Sequence, residues 1–340
     1  MGYIWGSYSK GKLNLMELEH FPKLDDVRKS ILKLNSVGFP KYDGKSDVED
    51  FIKSIEELLF EEFGILINHL TPFKHKDFSL KFFRVREFDN FMNISLIREH
   101  SYPPLNITQM GRCNFPKYPV FYCSDDAMTA LLEVARNYCK LDKKFCISKW
   151  ELMSPNEELI FQNFLQTPLP PENHFNALQK DLRKRINEPF EKSLNTGLDE
   201  ERKEGLLEYL SFLDNSFIKD ENYSLSATLA HRVLYADHNF RADILMYPSV
   251  QAKYKGVNMA LNPNFVENNL KLTRLYEVSL ENYNPKTGKI DVTFYRYAEV
   301  KKNIIRWRNL SPDDKNYESI LKEDFGHLMK KGFKNTFEEK

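Results

Sequence analysis

Two regions of strand-like sequence, separated by a long helical region, constrain the fold of this chain more than any other feature. Short strand patterns occupy residues 81–152 and resume over residues 243–297. Between them, residues 172–236 repeat apolar positions at the spacing of helices, with three helices predicted over residues 172–186, 198–213 and 224–236. The pattern predicts an α+β core that is interrupted by a helical insertion over about residues 155–240.

The first 75 residues have helical periodicity as well. One helix is predicted from Leu24 to about Leu34. A second is predicted to begin at Ser46, because Glu49 three positions later completes a capping box. The sequence therefore predicts a helical N-terminal module over residues 1–75.

The remaining boundaries follow from the same patterns. Residues 76–305 are predicted to form the core domain together with its insertion. Within it, strands at 275–280 and 290–297 form a predicted hairpin, joined by residues 284–288. The charged segment over residues 306–340 is predicted to be a C-terminal tail with a surface helix and a frayed end.

The charge balance and the apolar runs exclude several classes of partner. Lys and Arg (49) offset Asp and Glu (49), so the chain has no overall field that attracts nucleic acid or an acidic membrane. A local basic cleft remains compatible with this balance. The N-terminal sequence has no apolar leader, and no stretch reaches the ~18 apolar residues that a spanning helix needs. We therefore expect a cytoplasmic protein without a membrane or nucleic-acid partner.

The four cysteines argue against a metal site. Cys113, Cys123, Cys139 and Cys146 contain no pair with the two-to-four-residue gap of a zinc knuckle. In a reducing compartment, buried free thiols are the better interpretation of all four.

Three separated clusters in the strand-rich regions carry the residues with chemical potential. The first is a strand on which Arg84 and Arg86 alternate and therefore share a face. The second combines a Gly-Arg-Cys-Asn segment, a strand ending in Tyr-Cys-Ser and a helix with Ala-Leu-Leu-Glu. The third is a Tyr-Pro-Ser-Val turn followed by Gly-Val-Asn-Met-Ala-Leu. The clusters occupy residues 82–86, 111–114, 119–124, 129–133, 243–250 and 256–261.

In this order the clusters resemble the RES family, named for an arginine, a glutamate and a serine. The shared pattern is an arginine on an early strand, Gly-Arg-x-Asn, a short strand ending in tyrosine, a helix with Ala-Leu-x-Glu and a Tyr-Pro-Ser-Val turn. The resemblance covers about residues 80–155 and 240–300 and leaves out the N-terminal 75 residues. It implies an ADP-ribosyltransferase-like fold and consumption of NAD by hydrolysis, phosphorolysis or transfer of ADP-ribose to a protein.

Glu133 is the candidate catalytic carboxylate. Cleavage of the nicotinamide–ribose bond passes through an oxocarbenium-like state, which a nearby carboxylate stabilises. Glu133 falls at the edge of the apolar stripe of its predicted helix, where a side chain can face a cleft. A glutamate in such a position is more often simply solvated, and it is the resemblance that favours the catalytic interpretation.

The other candidates would bind NAD. Arg84 and Arg112 suit the diphosphate, since a guanidinium binds phosphate oxygens bidentately, and Arg86 replaces Arg84 if the register differs. Tyr122 suits stacking on nicotinamide or a hydrogen bond to a ribose hydroxyl, with core packing as the alternative. By resemblance, Ser249 holds the nicotinamide ribose or amide; as a bare sequence feature it is equally a turn-forming hydroxyl.

The predicted function is that of a RES-family enzyme, an NAD glycohydrolase or phosphorylase with NAD as substrate and no cofactor. The chain lacks the Gly-x-Gly-x-x-Gly fingerprint, a Walker loop, a His-Glu-x-x-His pair and a Gly-x-Ser-x-Gly elbow. A protein ADP-ribosyltransferase and a non-catalytic interaction protein are the alternatives. The acceptor (water, phosphate or protein) stays open.

The resemblance also suggests partners. Toxin members of the family pair with helix-turn-helix antitoxins, so we expect a toxin-like or defence effector with an antitoxin or regulatory protein. The additional helical parts are candidates for holding a homo-oligomer.

Overall fold

The computed structural model describes most of the chain. The described residues are 4–9, 12–14, 21–64, 66–74, 80–136, 143–154, 158–180, 199–235, 241–284, 289–326 and 336–338. The strands are β1 (Ile4–Ser9), β2 (Lys12–Asn14), β3 (Ile67–Lys74), β4 (Phe82–Glu87), β5 (Phe121–Ser124), β6 (Lys144–Leu152), β7 (Glu158–Asn163), β8 (Ile244–Pro248), β9 (Val257–Leu261), β10 (Leu270–Asn284), β11 (Lys289–Lys301), β12 (Ile304–Asn309) and β13 (Thr336–Glu338). The helices are α1 (Leu24–Val37), α2 (Val48–Phe63), α3 (Ala127–Ala135), α4 (Glu200–Lys219), α5 (Ser224–Leu234), α6 (Pro263–Asn269) and α7 (Tyr317–Phe325).

The strands form one mixed sheet. Its order is β12-β11-β10-β6-β4-β5-β9-β8-β7-β3-β1-β2, and β13 pairs with β11. β7 and β8 are parallel, whereas the other pairs are antiparallel. A mixed sheet with packed helices confirms the predicted α+β class.

The strand pairing within the sheet is least extensive between β4 and β5. Their described register consists of the single pair Phe83↔Ser124, whereas β4 and β6 share a register from Phe82 to Glu87. β5 follows β9 instead, over Phe121 to Ser124. The two halves of the sheet therefore diverge beside β5, and this divergence opens a cleft.

The N-terminal module is only partly helical. The predicted first helix is confirmed as α1, which ends before Gly38 in a left-handed conformation (φ 76°). The capping box at Ser46 is wrong, because Asp47 is the cap and its Oδ1 accepts from the N–H groups of Glu49 and Asp50 at 2.9 and 3.2 Å. The purely helical description is also wrong, because β1, β2 and β3 extend the sheet beyond β7.

The insertion likewise combines both types of element. Two of its predicted helices are confirmed as α4 and α5, while much of the one predicted over residues 172–186 lies outside the described residues. β7 also belongs to this segment and joins β3 to β8. The predicted turn over residues 284–288 lies mostly outside the described residues.

The C-terminal segment is part of the core. In α7, Tyr317, Leu321 and Phe325 are buried at 1% or less exposure against apolar residues of β4, β6, β10 and β11. The prediction of a surface helix is therefore wrong in its packing, although the helix itself exists.

Candidate functional site

A cavity of about 580 Å³ lies where β4 and β5 diverge. Its walls come from β4, the loop before β5, β5, α3, the end of β8, β9 and the connection between α4 and α5. The volume is within the range of small-molecule sites. Of the six sequence-predicted residues, four line this cavity: Arg84, Arg112, Tyr122 and Glu133.

Glu133 is held in the cavity wall by two hydrogen bonds to one oxygen. The N-terminus of α3 is fixed by Asp126, whose Oδ1 accepts from the N–H groups of Met128 and Thr129, both at 2.9 Å. Two turns later, Glu133 Oε1 accepts from Ser249 Oγ at 2.6 Å and from Asn258 Nδ2 at 2.7 Å. Glu133 Oε2 has no hydrogen-bond partner among the described residues. One oxygen thus anchors the carboxylate, and the other is available to a ligand.

Ser249 lies next to the cavity rather than in its lining. It directly follows β8, it is fully buried, and its Oγ also accepts from Ala252 N–H at 3.0 Å. The bond from Ala252 agrees with the turn-forming interpretation, whereas a contact of Ser249 with the nicotinamide ribose or amide stays a prediction. The hydroxyl stabilises the turn, and it also orients Glu133.

Asn258 and Ser124 complete this network. Asn258 lies on β9 and Ser124 on β5, and Ser124 Oγ donates to Asn258 Oδ1 at 2.8 Å. With its Oδ1 accepting, the Asn258 amide must present Nδ2 to Glu133. The sequence placed Asn258 in a chemical cluster but gave it no role.

Arg84 is a half-buried cation without a described acidic partner. Its Nη1 donates to the Tyr122 carbonyl at 3.0 Å, and its guanidinium lies 5.4 Å from the Phe121 ring centroid. Its Nε is enclosed and has no hydrogen-bond partner among the described residues. Burial lowers the pKa of Arg84 to about 10, and repulsion from Arg86 acts in the same direction. The guanidinium is therefore charged near neutral pH and lacks compensation, as an anion site does.

Arg86 faces a different environment. Its guanidinium donates to the carbonyls of Glu99 and Asn90, pairs with the Glu99 carboxylate at 3.8 Å and lies 4.4 Å from the Phe91 ring centroid. It is not among the described residues that line the cavity. Between the two alternate arginines, the geometry favours Arg84 as the ligand contact.

Arg112 lines the cavity but is engaged with the insertion. Its Nη1 donates to the carbonyls of Phe217 and Asp220 at the C-terminus of α4. Its guanidinium also lies 5.1 Å from the Tyr223 ring centroid. Arg112 therefore fixes a wall of the cavity. The sequence analysis predicted a contact with diphosphate for this residue and did not predict its contacts with the insertion.

Tyr122 contributes its ring, since its hydroxyl is already engaged. The hydroxyl accepts from Cys113 N–H at 2.7 Å and donates to Asn114 Oδ1 at 2.8 Å. Burial raises the pKa of Tyr122 well above its ordinary value. A Cβ at Gly111 would lie 2.6 Å from Asn114 Oδ1 and 2.7 Å from the hydroxyl, so only glycine fits there.

Two further residues that the sequence did not identify line the cavity, Arg136 and Tyr223. Both have a left-handed backbone, with φ of 30° and 60°. Neither belongs to a recognisable motif, so no local signal could have found them. With Arg84 and Arg112, Arg136 gives the lining three arginines against the one carboxylate of Glu133. The described lining therefore favours an anionic ligand.

The described residues contain no group of three or more potential metal ligands. Cys113, Cys123 and Cys146 are free and buried as predicted, and Cys139 lies outside the described residues. Burial raises the pKa of the Cys113 thiol to about 12. In the described part of the chain, every helix is too short or too polar to cross a bilayer.

Comparisons of the chain with protein-family models, with curated proteins and with solved structures give no match.

Proposed function

We propose that this chain is an enzyme that cleaves the nicotinamide–ribose bond of NAD, as its resemblance to the RES family implies. One observation carries the proposal. A single cavity contains the anchored carboxylate of Glu133, whose Oε2 has no described partner, and the half-buried guanidinium of Arg84, which has no described acidic partner. A carboxylate and an uncompensated cation in one cavity suit a ligand that develops positive charge at one end and carries phosphate at the other.

Glu133 acts on the positive charge that forms when the bond breaks. The electron pair of the carbon–nitrogen bond leaves with nicotinamide, which becomes neutral, and the ribose carbon becomes oxocarbenium-like. The carboxylate stabilises this charge electrostatically. An acceptor oxygen then bonds to the carbon and, when the acceptor is water, loses a proton to give ADP-ribose. The hydrogen bonds from Ser249 and Asn258 hold the carboxylate in place, so that it need not reorganise during the reaction.

Arg84 binds the diphosphate in this proposal. A dinucleotide brings two negative charges to a lining that has an excess of two arginines over carboxylates. A bound phosphate oxygen would give Arg84 Nε the partner that it lacks.

The test is nicotinamide release, followed by chromatography, from NAD incubated with wild type and with Glu133→Gln. We expect release by wild type and a loss of at least ~100-fold in the variant, the usual scale for one electrostatic group. ADP-ribose, ADP-ribose phosphate or a labelled protein as co-product identifies water, phosphate or protein as the acceptor. Equal rates for both folded proteins would reject Glu133 as the catalytic carboxylate.

The proposal extends to a toxin-like or defence role in the cytoplasm, where an antitoxin or regulatory protein controls the activity. The free, buried cysteines support a reducing compartment. Expression of wild type is then expected to deplete NAD and arrest growth of the host, and Glu133→Gln to abolish both effects. Growth arrest that persists in Glu133→Gln would show that toxicity has another origin.

A further inference from the structure

The connection between α4 and α5 places an aromatic ring in the cavity wall. α4 ends at Lys219 and α5 begins at Ser224, and Tyr223 between them lines the cavity together with Ile218 of α4. This segment belongs to the insertion, to which the family resemblance assigns no chemistry.

Tyr223 is held in a conformation that a bulky residue rarely adopts. Its φ and ψ are 60° and 10°, the left-handed region that disfavours side chains with a Cβ. The Asp220 carboxylate fixes the segment on both sides of it, since it accepts from the N–H groups of Asn222 and Ser226 at 3.1 and 2.9 Å. Such strain persists where the surroundings enforce it, and it is concentrated at ligand sites.

Arg112 lies beside the Tyr223 ring in the cavity wall. The carbonyls of Phe217 and Asp220 hold the Arg112 guanidinium at the C-terminal end of α4, where the helix dipole favours a cation. The guanidinium in turn lies 5.1 Å from the centre of the Tyr223 ring. An aromatic ring with a guanidinium beside it is a platform on which flat, unsaturated ring systems stack.

We propose that Tyr223 is a specificity-determining residue, whose ring stacks on a heteroaromatic base of the substrate. The inference rests on the proposed function, because NAD supplies two such bases, nicotinamide and adenine. Arg112 is the positioning residue for this ring. The insertion is then part of the substrate site, and the strained backbone at Tyr223 is retained because it directs the ring into the cavity.

The test compares Tyr223→Phe, Tyr223→Leu and Tyr223→Gly in the full chain, with NAD as substrate. Tyr223→Phe keeps the ring and should leave KM within about twofold, while Tyr223→Leu and Tyr223→Gly should raise KM about tenfold, the scale of one lost stacked base. Tyr223→Gly also relieves the left-handed strain, so its Tm should rise by about 2 °C. A stabilised protein with weakened substrate binding is an outcome that a merely structural tyrosine does not produce.

Lys302→Gly is the matched control. Lys302 has a left-handed backbone (φ 51°) in the turn between β11 and β12, and it is not among the described residues that line the cavity. The Lys302→Gly substitution should raise Tm to a similar extent without changing KM.

Inhibition by ADP-ribose, which keeps adenine and lacks nicotinamide, identifies the base that stacks on Tyr223. A weaker inhibition of Tyr223→Gly than of wild type points to adenine, and an unchanged inhibition points to nicotinamide.

The two proposals fail in different ways. Wild type that binds and cleaves no NAD overturns the proposed function, and this inference with it. Wild type that cleaves NAD while Tyr223→Leu and Tyr223→Gly keep its KM overturns the inference alone.

Discussion

Six charged side chains on and beside α7 pair with one another, whereas the three arginines of the cavity have no acidic partner among the described residues. The first group, here the ionic cluster, consists of Lys81, Lys149, Arg274, Glu151, Glu323 and Asp324. Its three cations face three carboxylates, and Lys149 is within 2.5, 2.8 and 3.2 Å of all three. The cavity instead has three arginines and one carboxylate in its lining.

Whether a cation has a nearby carboxylate distinguishes a structural charge, such as Lys149, from a candidate ligand-binding charge, such as Arg84. Although burial disfavours a charged Lys149, its hydrogen bonds to Asp324 and Glu323 raise the pKa of the ammonium group. At Arg84, no described carboxylate offsets the effect of burial, and the pKa of the guanidinium falls to about 10. A partly desolvated charge without a counter-charge lowers the stability of the unliganded protein, and a bound anion restores that stability.

The largest change in stability is expected from a substitution in the ionic cluster. Asp324→Asn removes a fully buried carboxylate that also accepts from Tyr276 OH at 2.7 Å. It should lower the free energy of unfolding by about 3 kcal/mol, because Lys149 and Arg274 lose their buried counter-charge. Denaturant unfolding measures this change, and KM for NAD should stay constant in the folded variant. A raised KM without lost stability would assign the cluster to function and break the comparison.

At the cavity, we expect a substitution to raise the free energy of unfolding instead of lowering it. Arg84→Met removes an uncompensated charge and keeps much of the side-chain volume, so the unliganded protein should gain about 2 kcal/mol. NAD should no longer raise its Tm, because the anion contact is lost. Thermal unfolding with and without NAD measures both quantities. Destabilisation comparable to that of Asp324→Asn would mean that Arg84 has a structural role instead.

A smaller change in the free energy of unfolding is expected when the pH is lowered. The hydrogen bond from Lys149 lowers the pKa of Glu323 below its ordinary value of 4.5, with burial acting in the opposite direction. The stabilisation is therefore fully present above pH 4.5 and is lost as the pH falls through the lowered pKa. The effect is modest, since the Glu323 side chain is 49% exposed. Unfolding free energies measured below pH 4.5 should have a shallower pH slope in Glu323→Gln, and an unchanged slope would show that other carboxylates cause the acid sensitivity.

The sequence was most informative where a motif fixes local geometry. Glu133 on a helix and Ser249 after a strand were identified from short patterns, and these two side chains are hydrogen-bonded at 2.6 Å. Asn258 lay in the same patterns, but its contact with Glu133 depends on the pairing of β9 with β5, which a local pattern does not contain.

Features that depend on distant segments were missed. β1 to β3 are strands because β7 pairs with β3, and the local apolar periodicity of the first 75 residues gives no information on that partner. Arg112 was predicted to contact diphosphate, but the C-terminus of α4, more than 100 residues later, accepts its hydrogen bonds. Tyr223, which lines the same cavity, lies 5.1 Å from the Arg112 guanidinium across a similar separation in sequence.

The most direct test of the central claim is calorimetric titration of Glu133→Gln with NAD, because this variant should bind the dinucleotide without consuming it. We predict saturable binding with one site per chain, and its loss when Arg84→Met is added to the same protein. Absence of binding by folded Glu133→Gln, or binding that Arg84→Met leaves unchanged, would contradict the assignment of this cavity as the NAD site.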